Sequence, residues 1–231
     1  MPSDIPSRSV SSINGGLTAA ASWPLTSKGV LAAIDGSHFV ARNPTPGTGI
    51  IGHAAPTTLD DTKPLLLIKN NAGVRDGTVI ILDYIRLRLT TAGTASTNVR
   101  FDMKLDSVSR YTSGGSSLVP MNVNMGSNGS SVALVYYGAI TAPAAGGNVR
   151  VVDGIEFRPV IGVVGDMYTL NFGGGGHSVG SLITSGAAIA HATANFHPVI
   201  LGPGQSLLLH QWSASQSGAI TFEPTVSWFE R

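Results

Sequence analysis

The sequence predicts an all-β fold, a sandwich or barrel of short strands. Three observations predict it. Apolar residues recur with period two in several separate runs. The turn formers, chiefly 29 Gly and 13 Pro in 231 residues, stand between those runs and not in one low-complexity block. Helical periodicity with charged helix formers is scarce along the whole chain. Many short strands punctuated by turns are the pattern of sandwiches and barrels.

Residues 1–27 are rich in Ser, Pro, Ala and Gly and lack a sustained period. They read as an extended N-terminal arm, ordered on contact with a neighbour, and a frayed terminus is the plain alternative. Trp23 and Pro24 favour the arm, because an exposed Trp in a tail is wasteful. Residues 28–231 read as a single β domain. Within residues 28–60, one or two short strands flank a turn at Asp35-Gly36, and Pro44, Pro46, Gly47 and Gly49 then force a loop. Residues 64–70 (PLLLIKN) are an apolar run bounded by breakers, which reads as a buried strand.

The clearest alternation lies in residues 80–90 and 99–106. Ile85, Leu87 and Leu89 share one face of the first run, and Tyr84, Arg86, Arg88 and Thr90 the other. In the second, Val99, Phe101, Met103 and Leu105 oppose Arg100, Asp102, Lys104 and Asp106. Each reads as a strand with one buried and one wet face. The turn-like TAGTASTN between them predicts an antiparallel pair, with Arg86 or Arg88 offered to Asp102 or Asp106. Such exposed pairs contribute roughly 0–1 kcal/mol each.

Further strands are expected in residues 130–141, 148–152, 154–164 and 167–172, and after the Pro203-Gly204 turn through Trp212. In residues 219–231, Ile220, Phe222, Val226 and Trp228 share one parity, and Pro224 suggests an edge strand or a bulge. The best helix window is residues 185–195 (SGAAIAHATAN), Ala-rich but without charged helix formers. The Gly-Ser stretches at residues 112–117 and 126–131 read as uncharged loops, which lose water without stranding an ion.

Composition narrows function. Charged residues are 12% of the chain and the net charge is +1, about half the usual ~25% charged share. A surface so short of ions is either covered by Ser, Thr, Asn and Gly or buried against partners. No basic cluster favours nucleic acid or an acidic membrane. Cysteine is absent, which removes disulfides and thiolate chemistry. No stretch approaches the ~20 apolar residues of a bilayer span, and residues 1–10 lack a secretory leader's apolar run. The expectation is a soluble protein made in the cytoplasm.

Chemical motifs are weak. Gly173 to Gly176 with His177 lacks the Lys-Ser/Thr ending of a phosphate loop. His38, His53, His177, His191, His197 and His210 form no metal-ligand spacing, and neither a metal nor a cofactor is expected. The carboxylates Asp60, Asp61, Glu156, Glu223 and Glu230 are scattered, and no serine-nucleophile signature appears. The expectation is a protein that is not an enzyme. The aromatics Trp23, Tyr136, Tyr137, Trp212 and Trp228 fit a core or subunit interface, with a sugar platform as the rival.

The C-terminal LGPGQSLLLHQW and AITFEPTVSWFER resemble the last strands of small jelly-roll proteins on tailed-phage particles. A Pro-Gly turn there feeds an apolar strand, and a final alternating strand ends in an aromatic and a charge. The arm, the missing Cys and the Gly-Ser loops resemble phage virion proteins as well. The resemblance implies an antiparallel, jelly-roll-like β-sandwich carrying an extended N-terminal arm. It implies a capsid decoration (cement) protein of the virion that clamps neighbouring capsid subunits as a homotrimer. Its partners would be further copies and the major capsid protein or another virion protein. A receptor- or glycan-binding module of a tail or fibre is the alternative. Trp23, Pro24, Tyr137, Trp212 and Trp228 are the candidate partner-binding residues.

Overall fold

A computed structural model of the chain describes residues 32–92, 99–143, 149–157, 163–173, 178–182, 191–214 and 216–231. The arm, with Trp23 and Pro24, lies outside the described residues, as do 174–177 and 185–190. The strands are β1 (His38–Arg42), β2 (Ile50–Ile51), β3 (Leu66–Asn70), β4 (Ile80–Thr91), β5 (Val99–Asp106), β6 (Ser113–Leu118), β7 (Pro120–Asn122) and β8 (Ala133–Thr141). They continue as β9 (Val149–Phe157), β10 (Met167–Phe172), β11 (Ser178–Leu182), β12 (His191–Phe196), β13 (Ile200–Leu201), β14 (Ser206–Trp212) and β15 (Thr221–Glu230).

Two sheets pack face to face. Sheet A runs β11-β12-β10-β4-β15-β1-β7, with β13 on β4 and β2 on β15; sheet B runs β6-β8-β3-β14-β5-β9. Eight principal strands nest as antiparallel pairs: β1 with β15, β3 with β14, β4 with β10, and β5 with β9. First pairs with last, second with second-last, and so inward. This is the winding of a jelly roll. The core between the sheets takes the buried parity of each strand: Phe39 and Ala41; Leu66 and Ile68; Ile85, Leu87 and Leu89; Phe101 and Met103; Leu207 and Leu209; Phe222, Val226 and Trp228. Each of the larger of these side chains contributes roughly 1.5–3 kcal/mol over leaving it exposed.

Several sequence expectations are corrected. β4 and β5 do not pair. Each has one apolar face, and the sandwich sets those faces against each other across the core, with the strands in different sheets. Arg88 therefore meets Glu223 at 3.3 Å, and Arg100 meets Asp102 of its own strand. Asp102, Lys104 and Asp106 are buried and not wet. β15 is no edge strand: it lies between β4 and β1. Its register shifts fall at Thr221/Phe222 and Ser227/Trp228, away from Pro224. Pro224 turns its carbonyl toward Asn43, just past the end of β1. The missing N–H therefore falls where that ladder has already stopped.

The Gly-Ser stretch at 113–118 is strand β6 and not a loop. Gly114 and Gly115 have φ of 79° and 70°, and the pairing with β8 shifts register there. Residues 149–157 form one strand, where two were expected, with an irregularity opposite Met103/Lys104. The described half of the Ala-rich window, residues 191–195, lies in strand β12 (His191–Phe196). It pairs in parallel with β10, setting Thr169 beside Thr193, Asn171 beside Asn195 and Phe172 beside Phe196.

Candidate docking face

The outer faces of the two sheets differ. Much of the described outer face of sheet B is covered by the chain's own side chains and loops. Leu67 and Leu208, which point outward, pack with Ile140 and Ala142 under Tyr111 and Tyr136. The two tyrosine rings stack at 4.0 Å. Beside them lies a buried polar layer. Lys104 pairs with Asp61. Arg110 Nε sits 3.4 Å from Asp106 Oδ2, with both side chains almost wholly enclosed. Arg110 Nη2 also donates to the carbonyl of Pro143. His210 is buried in the same layer, its Nε2 3.5 Å from the Asp61 carbonyl. Burial holds its pKa below the ordinary value, and Lys104 pushes the same way.

Sheet A carries a different outer face. Register places Ile200 beside Ile81, Ile81 beside Phe229, and Phe229 beside His38. The N–H of Val123 donates to the His38 carbonyl. Alternation sends all five side chains outward, since Leu201, Ile80, Leu82, Trp228 and Phe39 point into the core. The result is a largely apolar row across five strands, about 19 Å long at ~4.8 Å per strand. Met121 pairs with Val40 on the same face. Val119, Met121 and Ile200 are 68%, 50% and 53% exposed, and Met125 at the neighbouring turn is exposed throughout. The next rows are polar but mostly uncharged: Asn195, Asn171, Tyr84 and Ser227, then Thr193, Thr169, Arg86 and Thr225. Asn171 donates to Asn195 Oδ1 at 3.1 Å. Beyond them Arg42 and Arg88 share Glu223.

Inside this face Ser227, His38 and Asp83 come together, which no spacing in the sequence announces. The Ser227 hydroxyl donates to Asp83 Oδ2 at 3.0 Å, and His38 Nε2 lies 2.9 Å from the same hydroxyl oxygen. A nucleophilic serine gives its proton to the imidazole. Here that proton points at Asp83, which makes Nε2–H the donor to Ser227, and Ser227 is fully buried. The arrangement fixes the ring of His38, which also packs on Phe229 with centroids 4.6 Å apart. Burial lowers the His38 pKa, opposed by the charge of Asp83.

The candidate partner residues separate. Tyr137 and Trp228 are fully buried in the core of the single chain, so they present no surface to a partner. Their parity points them between the sheets, and Trp228 stacks on Phe39 and donates to Glu230. Trp212 is half-buried on the outer side of sheet B, its indole N–H donating to Asp102. The Arg100 guanidinium covers one ring face, 4.8 Å from the centroid. Sequence reasoning missed the apolar row, because its members come from five strands. One part was legible: Val119, Met121, Val123 and Met125 alternate in VPMNVNMG.

A cleft of about 610 Å³ opens at one end of the sandwich, lined by Asp106, Arg150, Gln205 and Ile200 among others. Among the described residues, no group of three His, Asp or Glu side chains gathers to hold a metal ion. No family model matches the chain, and neither does any curated protein or solved structure.

Proposed function

We propose that this chain is a non-enzymatic virion structural protein, a capsid decoration or cement protein that docks through the outer face of sheet A. The observation that carries this is the row Ile200–Ile81–Phe229–His38–Val123, extended by Met121 and Val119. An antiparallel sheet facing water on one side normally alternates cleanly, apolar in and polar out. Here the outward positions of one sheet are apolar in a continuous band, while the other sheet's outer face has its own cover. Scattered surface hydrophobes need no explanation, but contiguous ones mark contact sites. The low charge of the chain agrees, since few ions must be stripped of water when the face is covered.

Energetically the face suits multivalent assembly. Covering ~400 Å² of apolar area gives about 10 kcal/mol before the cost of association. A homotrimer would engage a shell three times, so that modest contacts combine. The partners under this reading are further copies and a capsid subunit. The test pairs light scattering with co-sedimentation on assembled capsid shells, comparing the parent chain with Met121→Lys/Val123→Lys. The parent is expected to self-associate and to pellet with shells, and the double variant to do neither while keeping its circular dichroism. A parent chain that stays monomeric and ignores shells sinks the reading.

A further inference from the structure

An apolar row open to water is unfavourable unless something lies on it, and the chain itself has a candidate beside the row. The described residues begin at Ala32, in a helical turn over 32–34. That turn is tied to the β7 corner: Asn124 Nδ2 donates to the Ile34 carbonyl at 3.1 Å and Asn122 Nδ2 to the Gly36 carbonyl at 2.7 Å. The described chain therefore begins beside the Val123–Met125 corner, at one end of the row. The composition of residues 1–31 suits such a surface. They contain three charged residues, Asp4, Arg8 and Lys28, against apolar side chains that include Leu17, Trp23, Leu25, Val30 and Leu31.

We propose that residues 1–31 occupy the apolar row on the outer face of sheet A, with Trp23 as the anchor. This deepens the docking role given to that face and rests on it. Reach permits it. The eight residue-to-residue steps from Leu31 back to Trp23 extend to at most ~26–29 Å at ~3.3–3.6 Å per step, longer than the ~19 Å row. Docking is by side chains across the face and not by strand addition along the β7 edge. Pro120 has no N–H to offer there, and the Asn124 N–H is taken by Asn122 Oδ1 at 2.9 Å. A Trp has the area to cover the half-buried Ile81 and Phe229 together, and its indole N–H can reach the polar row next to them. The same reach lets the segment lie on its own subunit or cross to a second copy, where exchange of an identical element links protomers at low cost.

The chain has no cysteine, so introduced pairs are unique. In the full chain, Ser22→Cys is combined separately with Met121→Cys, with Ile200→Cys, and with Thr58→Cys in the exposed loop before Asp60. Ser22 is chosen so that Trp23 stays in place. Under mild oxidation at least one of the two row pairs is expected to close about tenfold faster than the Thr58 control, the ratio that ~1.4 kcal/mol of docking gives. Adding Trp23→Ala is expected to remove that excess. A monomer-sized product assigns the segment to its own subunit, so that a partner meets the face with the segment seated on it, and a dimer-sized product assigns it to a second copy; both support the proposal. Row pairs no faster than the control, or an excess untouched by Trp23→Ala, overturn it. Self-association that survives such a failure leaves the docking role of the face standing. Crosslinking in a chain that never associates leaves the segment on the row and removes assembly.

Discussion

Asp106 and Arg110 face each other 3.4 Å apart with 2–3% of either side chain exposed. Two ions so enclosed gain from each other but have lost their water, so the pair is worth far less than the loss of either member. Arg110→Met is expected to cost about 3–5 kcal/mol, because Asp106 stays buried without its cation. The double change Asp106→Leu/Arg110→Met is expected to cost much less, and urea midpoints of the two variants check the order. The sequence displayed the charges of β5 and their shared parity. It could not display the loops that cover them, because cover is supplied by residues distant in the chain. Trp228 teaches the converse. Its parity with Phe222 and Val226 was legible and already placed it inside, so a large aromatic side chain alone was a poor reason to assign it to an interface.

At the scale of the element, β6 is an edge made irregular. Gly114 has φ 79°, and a Cβ there would meet the Ala139 carbonyl oxygen at 2.4 Å. Gly204, in the turn before β14, has φ 77° and open space around it. Both substitutions to Ala meet the left-handed penalty of roughly 1–2 kcal/mol, but Gly114→Ala must also push backbone from backbone. Gly114→Ala is expected to destabilise clearly more than Gly204→Ala in thermal or urea unfolding. Equal losses would mean that the β6–β8 irregularity yields freely. Glycine-rich sequence reads as loop because the same residue serves turns and bulges, which is why β6 was missed. Strand existence was legible from alternation in β4, β5 and β15, and from apolar runs set off by turn formers in β3 and β14. Strand partners were not, because a jelly roll pairs segments far apart, and strands as near in sequence as β4 and β5 lie in different sheets.

Among the described residues, three histidines and the carboxylate of Asp60 contribute to the acid response of the whole molecule. Burial lowers the pKa of His38, His53 and His210, against the opposing charges of Asp83 on the first and Asp60 on the second; Lys104 adds to the lowering on the third. In the unfolded chain each regains a value near 6.5. Above that pH neither state holds the proton, and stability is level. As pH falls through 6.5 toward the folded values, the unfolded chain binds protons that the folded one refuses, and stability drops. Asp60 acts lower still. Hydrogen bonds from Thr62 hold it at about 2, so its contribution is present above the ordinary carboxylate value and fades between roughly 4 and 2. The urea midpoint is expected to be flat from pH 8 to 7 and to decline by pH 5, with a shallower decline in His210→Gln. A midpoint that rises on acidification contradicts the assignment.

The place of β15 has a consequence for biosynthesis. It lies between β4 and β1, and its residues are translated after the other strands described, β1 to β14. At roughly 5–20 residues per second, a nascent chain spends many seconds with two core-facing strands missing their permanent neighbour. The larger sheet closes only once the ribosome has passed Glu230. A message cut short anywhere before residue 221 thus encodes a polypeptide with a split sheet, a far better substrate for a protease than the finished fold.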